Sequence, residues 1–134
     1  MMTRRFFATC TICAAATGFA ATQVSAQGAP QLSRKMLSQT EGPAPGYVTI
    51  IAEVDIPAGA IVAPHTHPGI ETGYVIEGEI ELPIQGKPTV VLKPGDAFQV
   101  PAGAVHGGGK AGTGRVKVVS TFVVEKAKPL ASPA

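Results

Sequence analysis

GAIVAPHTHPGIETGYVIEG, residues 59–78, contains two of the three histidines in this 134-residue chain. His65 and His67 stand two residues apart, so on a β-strand both imidazoles point to one face. Glu71 follows four residues after His67. The third histidine, His106, comes shortly after a turn at residues 101–103 and therefore has to reach the pair from another strand.

These four side chains form a candidate metal site. Three imidazoles and one carboxylate are a mixed nitrogen and oxygen ligand set that suits first-row divalent ions. A lone histidine is more often an ordinary core or surface residue, and that alternative stays open for each of the three. The pairing of His65 with His67, close to Glu71, favours the metal site.

The rest of the chain predicts strands and turns. Residues 47–56 alternate in character and place on one face Val48, Ile50, Ala52, Val54 and Ile56. Further strands are predicted over residues 35–39, 74–76, 80–84, 89–92, 98–100 and 115–124, with a hairpin at 77–79. Gly and Pro residues separate these strands about every eight to twelve residues, which predicts an all-β, antiparallel barrel or sandwich. This pattern excludes helical repeats and coiled coils.

The spacing of glycines and candidate ligands resembles the two motifs of the cupin superfamily, in its small single-domain form. Gly59-(x5)-His65-x-His67-(x3)-Glu71-(x6)-Gly78 corresponds to the first motif, and Gly95-(x5)-Pro101-x-Gly103-(x2)-His106 corresponds to the second. The resemblance extends over residues 47–124. It implies a double-stranded β-helix, the antiparallel jelly-roll barrel of cupins.

The resemblance also implies roles for single residues. The implied ligands of one metal ion per chain are His65, His67, Glu71 and His106. The residues with implied structural roles in turns are Gly59, Gly78, Gly95, Pro101 and Gly103. Lys110 departs from the family, because it stands where the second motif usually has Asn, a position that is not a ligand.

Such a centre has room for a further ligand. Four protein ligands leave two positions on an octahedral ion for water, O₂ or a chelating molecule, and the residual positive charge favours an anion. Mn or Fe is the expected metal, with Ni, Co, Zn or Cu as alternatives. Gly73 and Gly108 predict an open cavity beside the ion, and Glu71 is the candidate catalytic group.

Three functions are compatible with this site. The favoured one is a mononuclear metalloenzyme, a dioxygenase or a lyase, acting on a small organic substrate chelated at the metal. A non-catalytic metal-dependent binding module and a structural metal barrel are the alternatives, and a shared fold does not name the substrate. The last strand is apolar on both faces over residues 118–124, which predicts a homodimer.

The first 26 residues predict a bacterial secretory signal peptide. They combine two arginines with a mildly apolar stretch and with small residues at 24–26, just before Gln27. Thr3-Arg4-Arg5-Phe6-Phe7 resembles the twin-arginine export signal, with general secretion as the alternative. The expected product is a periplasmic or secreted protein that starts near Gln27, which N-terminal sequencing of the exported protein would check.

The chain after residue 26 is formally neutral, with nine Lys and Arg against nine Asp and Glu. This balance argues against a nucleic-acid partner, and no membrane contact is expected after cleavage. Both cysteines, Cys10 and Cys13, lie in the segment to be removed, so neither disulfides nor thiolate ligands are expected. The predicted organisation is a signal peptide at 1–26, a lead-in with a first strand at 27–46, a barrel at 47–124 and a tail at 125–134.

Overall fold

The computed structural model describes residues 31–107 and 109–134, so the predicted signal peptide and Gly108 lie outside the described residues. These ranges form strands and turns, and they contain no helix that is long and apolar enough to cross a membrane. The strands are β1 (Ser33–Glu41), β2 (Tyr47–Ile56), β3 (His65–Thr66), β4 (Gly69–Glu77), β5 (Ile80–Leu82), β6 (Val90–Leu92), β7 (Ala97–Val100), β8 (Val116–Glu125) and β9 (Ser132–Pro133).

Five strands form one antiparallel sheet in the order β1-β2-β8-β4-β7, while β3 pairs with β9 and β5 pairs with β6. Strands β2 and β8 pair along their whole length, from Tyr47 opposite Glu125 to Ile56 opposite Val116. Apolar residues of β5 and β6 pack against those of β2, β4 and β8 in one core cluster, so the β5–β6 sheet faces the large sheet. The predicted all-β, antiparallel architecture is confirmed.

The inward faces of the three central strands, β2, β8 and β4, are apolar except at Ser120 and Glu71. The five alternating residues predicted for β2 are all buried, and on β8 the buried positions include Ser120 between Val118 and Phe122. Ser120 pairs with Ala52 on one side and with Gly73 on the other, so three small residues lie in a row across the sheet. The two core clusters meet near this row, and the next inward-facing pair along β4 and β8 is Glu71 with Phe122.

The hairpin predicted at residues 77–79 is wrong. Strand β4 pairs with β7 and β8, whereas β5 pairs with β6, so the chain changes sheets at this turn. Gly78 has a φ of +78°, a left-handed conformation that suits glycine. A Cβ atom at Gly78 would lie 2.2 Å from the carbonyl oxygen of Arg115, so the close approach of these backbones also requires glycine.

Both ends of the described chain contain more strand than the sequence predicts. Strand β1 is longer than the predicted segment 35–39 and lies at the edge of the large sheet, exposed along its length. The predicted C-terminal tail folds back over the barrel, where β9 pairs with β3. Leu130 packs against the cluster that contains Val48 and Phe122, so this segment covers the side of the barrel that holds the histidines.

Candidate metal centre

The structure brings the three histidines together. His65 lies on β3, His67 directly follows it, and His106 comes from the loop after β7. The backbones of His65 and His106 exchange two hydrogen bonds, of 2.9 and 3.0 Å, which sets both side chains at one level. One ring nitrogen from each histidine lies within 4.8 Å of the others, so the cluster could hold a metal ion.

Backbone carbonyl groups orient all three imidazoles. Each Nδ1 atom donates a hydrogen bond to a carbonyl oxygen: that of Ala63 for His65, Leu130 for His67 and Ala104 for His106. A carbonyl oxygen can only accept, so Nδ1 carries the hydrogen and Nε2 of the neutral ring carries the lone pair. Burial lowers the pKa of His65 and so favours this neutral form, although the bond to Ala63 opposes the shift.

Glu71 turns its carboxylate toward the same point. Ser120 donates a 2.7 Å hydrogen bond to Oε1, while Oε2 lies 3.1 Å from Nε2 of His67 and 3.2 Å from Nε2 of His106. Burial alone would raise the pKa of Glu71, but hydrogen bonds that His106 and His67 donate when protonated, and a further one from Ser120, hold that pKa well below its usual range. Glu71 is therefore ionised near neutral pH, which suits a metal ligand better than a general base.

The donor set fits a cation. Nε2 of His67 is buried and has no partner with hydrogen-bond geometry among the described residues, because its 3.1 Å contact with Glu71 is poorly aligned. Two acceptors, a lone pair and a carboxylate, face each other there, and only a positive species between them would satisfy both. Ligand atoms about 2.1 Å from one ion, at right angles, are about 3 Å apart, close to the observed contacts.

A cavity of about 60 Å³ lies beside His65, His106 and Glu71. Its wall is mostly apolar, with Val54, Leu82 and Phe98 among the lining residues. Gly73 does not line this cavity, contrary to expectation, because the ring of Phe98 on the paired strand fills the space where its side chain would be, 2.1 Å from an ideal Cβ. Gly108, the other predicted cavity residue, lies outside the described residues.

The residues predicted to shape turns do lie at turns. The four glycines share a positive φ, between +70° and +96°: Gly59, Gly78, Gly95 and Gly103. Pro101 accepts a hydrogen bond from the amide of Ala104, and the amide of Gly103 donates to the carbonyl of His67. The turn at residues 101–103 is thereby hydrogen-bonded to the segment that carries His65 and His67. Lys110 lines a separate open groove, away from the histidines.

Sequence reasoning missed three contributors to this site. Ser120 holds the carboxylate of Glu71, and its signal was a single polar residue on the otherwise apolar inner face of β8. Leu130 supplies the carbonyl for His67 from a segment that gave no signal. Arg34, on the edge strand β1, lines the cavity together with His65 and Glu71, and no motif includes it.

Comparison with known proteins places these features in context. The sequence profile of the cupin domain matches residues 52–122. A germin-like protein of Arabidopsis thaliana, subfamily 2 member 2, is 35% identical over 86 residues, which are 58% of this chain and 39% of that protein.

Solved structures share the fold. The DMSP lyase DddQ from Ruegeria pomeroyi DSS-3 superposes with a TM-score of 0.66 and 23% identity, over 77% of this chain and 51% of DddQ, which shows the fold alone. An oxalate oxidase in complex with the substrate analogue glycolate superposes with a TM-score of 0.56 and 26% identity, over 64% of this chain and 44% of that chain. The chain therefore spans about half, or less, of the length of these relatives. The predicted double-stranded β-helix is confirmed.

Proposed function

This chain belongs to the cupin family, and on that premise we propose that it is a mononuclear metalloenzyme of the oxygenase or lyase type. Its substrate is a small organic molecule that chelates the metal. The observation that carries the proposal is the convergence of three imidazole Nε2 atoms and one carboxylate beside a cavity. A purely structural metal would not need that cavity.

Different residues of the described chain would bind the metal, orient its ligands and exclude water. A divalent first-row ion, when bound, supplies Lewis acidity and open coordination positions. His65, His67 and His106 would hold it through Nε2, and Glu71 through Oε2. Ser120 fixes the other carboxylate oxygen, and the apolar wall around Phe98 and Leu82 limits the water around a bound substrate.

One relative supports an oxidative reaction. It is called an oxalate oxidase, is 26% identical and shares the fold. We further propose that the protein is exported after folding, so that the cytoplasm selects the metal and the native ion is Mn or Fe. The Arg4-Arg5 pair supports that route.

The test uses protein recovered from the exported fraction of its own host. Elemental analysis is expected to find one Mn or Fe per chain. Oxygen consumption is then measured against a panel of enediols and flavonols, and loss of substrate without oxygen uptake is measured for the lyase reaction. Turnover that disappears when the metal is removed and returns when it is added back supports the proposal. A chain that holds its metal but turns over no compound of the panel would favour the binding module.

We also propose that the protein is a homodimer that pairs through the outer face of the large sheet. Ile70, Tyr74 and Ile76 of β4 are each about half exposed there, beside Val119 and Val123 of β8. A lone soluble barrel rarely exposes so many neighbouring apolar side chains. Sedimentation is expected to show a dimer at micromolar concentration, and Tyr74→Asp is expected to give a monomer with unchanged metal content. A monomeric wild-type protein would contradict the dimer.

A further inference from the structure

One inward-facing cation is not part of the family motifs. On β1, Arg34 lies opposite Val54 of β2, whose side chain is buried in the core. Directly opposite residues of antiparallel strands point to the same face, so Arg34 extends from the inner face of this edge strand toward the cavity, while much of its side chain stays exposed to solvent. The next residue, Lys35, lies opposite Glu53 and points outward.

Arg34 lacks an ion-pair partner among the described residues. The other described arginine, Arg115, forms a two-point pair with Asp55. Among the described residues, no carboxylate comes within ion-pair distance of Arg34, although Glu71 and Glu81 line the same cavity. Partial burial lowers the pKa of Arg34 and the charge of Glu71 acts in the opposite direction, and a guanidinium stays protonated under both influences.

The cavity that Arg34 lines is small, and its lining includes both polar and apolar side chains. Its volume of about 60 Å³ has room for about four water-sized groups, so it admits a molecule of only a few non-hydrogen atoms. Most of its lining side chains are aliphatic or aromatic, and its polar lining residues are Arg34, His65, Glu71, Glu81, His106 and Ser120. Arg34 and His65 also line an open groove beside β9, through which a ligand can enter.

We propose that Arg34 binds the carboxylate of a short organic acid held at the metal centre, an acid of about two carbons. This inference rests on the proposed function and names its substrate class. A guanidinium offers a fork of N–H donors that matches a carboxylate, and a divalent ion with one Glu71 carboxylate leaves the centre positive as well. An inward charge on an edge strand also hinders edge-to-edge pairing, but that role does not require Arg34 to line the cavity.

The experiment compares ligand binding by metal-loaded proteins. The probes are glycolate and glycolamide, which differ in charge but hardly in size, and binding is measured by calorimetry on Mn-loaded protein. The variants are Arg34→Gln, Arg34→Lys and the matched control Lys35→Gln, which removes the same charge from the outer face of the same strand. The metal content of each variant is measured first, because the comparison requires equal loading.

Arg34→Gln is expected to weaken glycolate binding by roughly 10- to 100-fold, the effect of losing a charged hydrogen-bond donor, and to change glycolamide binding little. Arg34→Lys should lie between Arg34→Gln and the wild type, because it keeps the charge but loses the fork. Lys35→Gln should bind like the wild type. Equal glycolate affinity in Arg34→Gln and Lys35→Gln, or no glycolate binding by metal-loaded wild type, would overturn the inference. Selective binding without turnover would instead leave the inference standing and remove the proposed enzyme.

Discussion

The His67→Ala variant is expected to contain almost no metal, against one ion per chain in the wild type. Substitution removes one of three nitrogen ligands and leaves the carbonyl of Leu130 without its buried donor. It also opens space against Phe122, whose ring contacts His67 at a centroid distance of 4.9 Å. Metal content is measured by elemental analysis after dialysis, with circular dichroism as the check that the barrel is still folded.

Two further variants test which residues bind the metal. Glu71→Gln should bind metal more weakly but still measurably, because the amide keeps an oxygen ligand and loses the charge. Its NH₂ group can donate to the Nε2 atoms that face it, so the metal-free variant should not melt below the metal-free wild type. Lys110→Asn, which lies away from the site, should keep full occupancy. Full occupancy after loss of both His67 and His106 would refute the site itself.

Removal of residues 129–134 is expected to weaken metal binding by roughly 10- to 100-fold, the usual effect of losing a group that orients a metal ligand. The deleted segment contains the Leu130 carbonyl that fixes the ring of His67, as well as strand β9, which pairs with His65 and Thr66. Metal affinity is measured by competition with a chelator of known strength, at matched protein concentration.

The matched control deletes only residues 132–134. That shorter deletion removes β9 but keeps the peptide carbonyl of Leu130, so it should retain most of the metal affinity if the carbonyl is the decisive group. Leu130→Ala keeps the carbonyl and removes the side chain that anchors it against Phe122 and Val48, and an intermediate affinity is expected. Wild-type affinity in a folded protein that lacks residues 129–134 would show that the Leu130 carbonyl has no part in orienting His67.

The sequence predicted those features that depend on local spacing. The alternation of β2 identified its buried face, because side chains on a strand alternate whatever the strand pairs with. The spacing of His65 and His67 placed their imidazoles on one face for the same reason, and the resemblance to the cupin motif added Glu71. The role of Ser120 could also have been predicted from the sequence, since a lone polar residue on an apolar face needs a buried partner.

The missed or wrong predictions all depend on partners distant in the chain. A glycine at position 78 suits a hairpin and a change of sheet equally well, and only the approach of Arg115 distinguishes them. The small size of Gly73 indicates space, but the paired Phe98 decides that this space is filled. Arg34 and Leu130 reach the site through strand pairing and chain reversal, which no local pattern encodes.

The contacts of the centre span long stretches of chain: 35 residues between Glu71 and His106, 49 between Glu71 and Ser120, and 63 between His67 and Leu130. An unfolded chain therefore offers an ion little more than a neighbouring pair of imidazoles, so an ion held at this site would bind the native state selectively. By mass action, free metal at one hundred times its dissociation constant would add about 2.7 kcal/mol to the free energy of unfolding. The thermal midpoint is accordingly expected to rise with free metal concentration, and a chelating buffer is expected to lower it with no change to the protein itself.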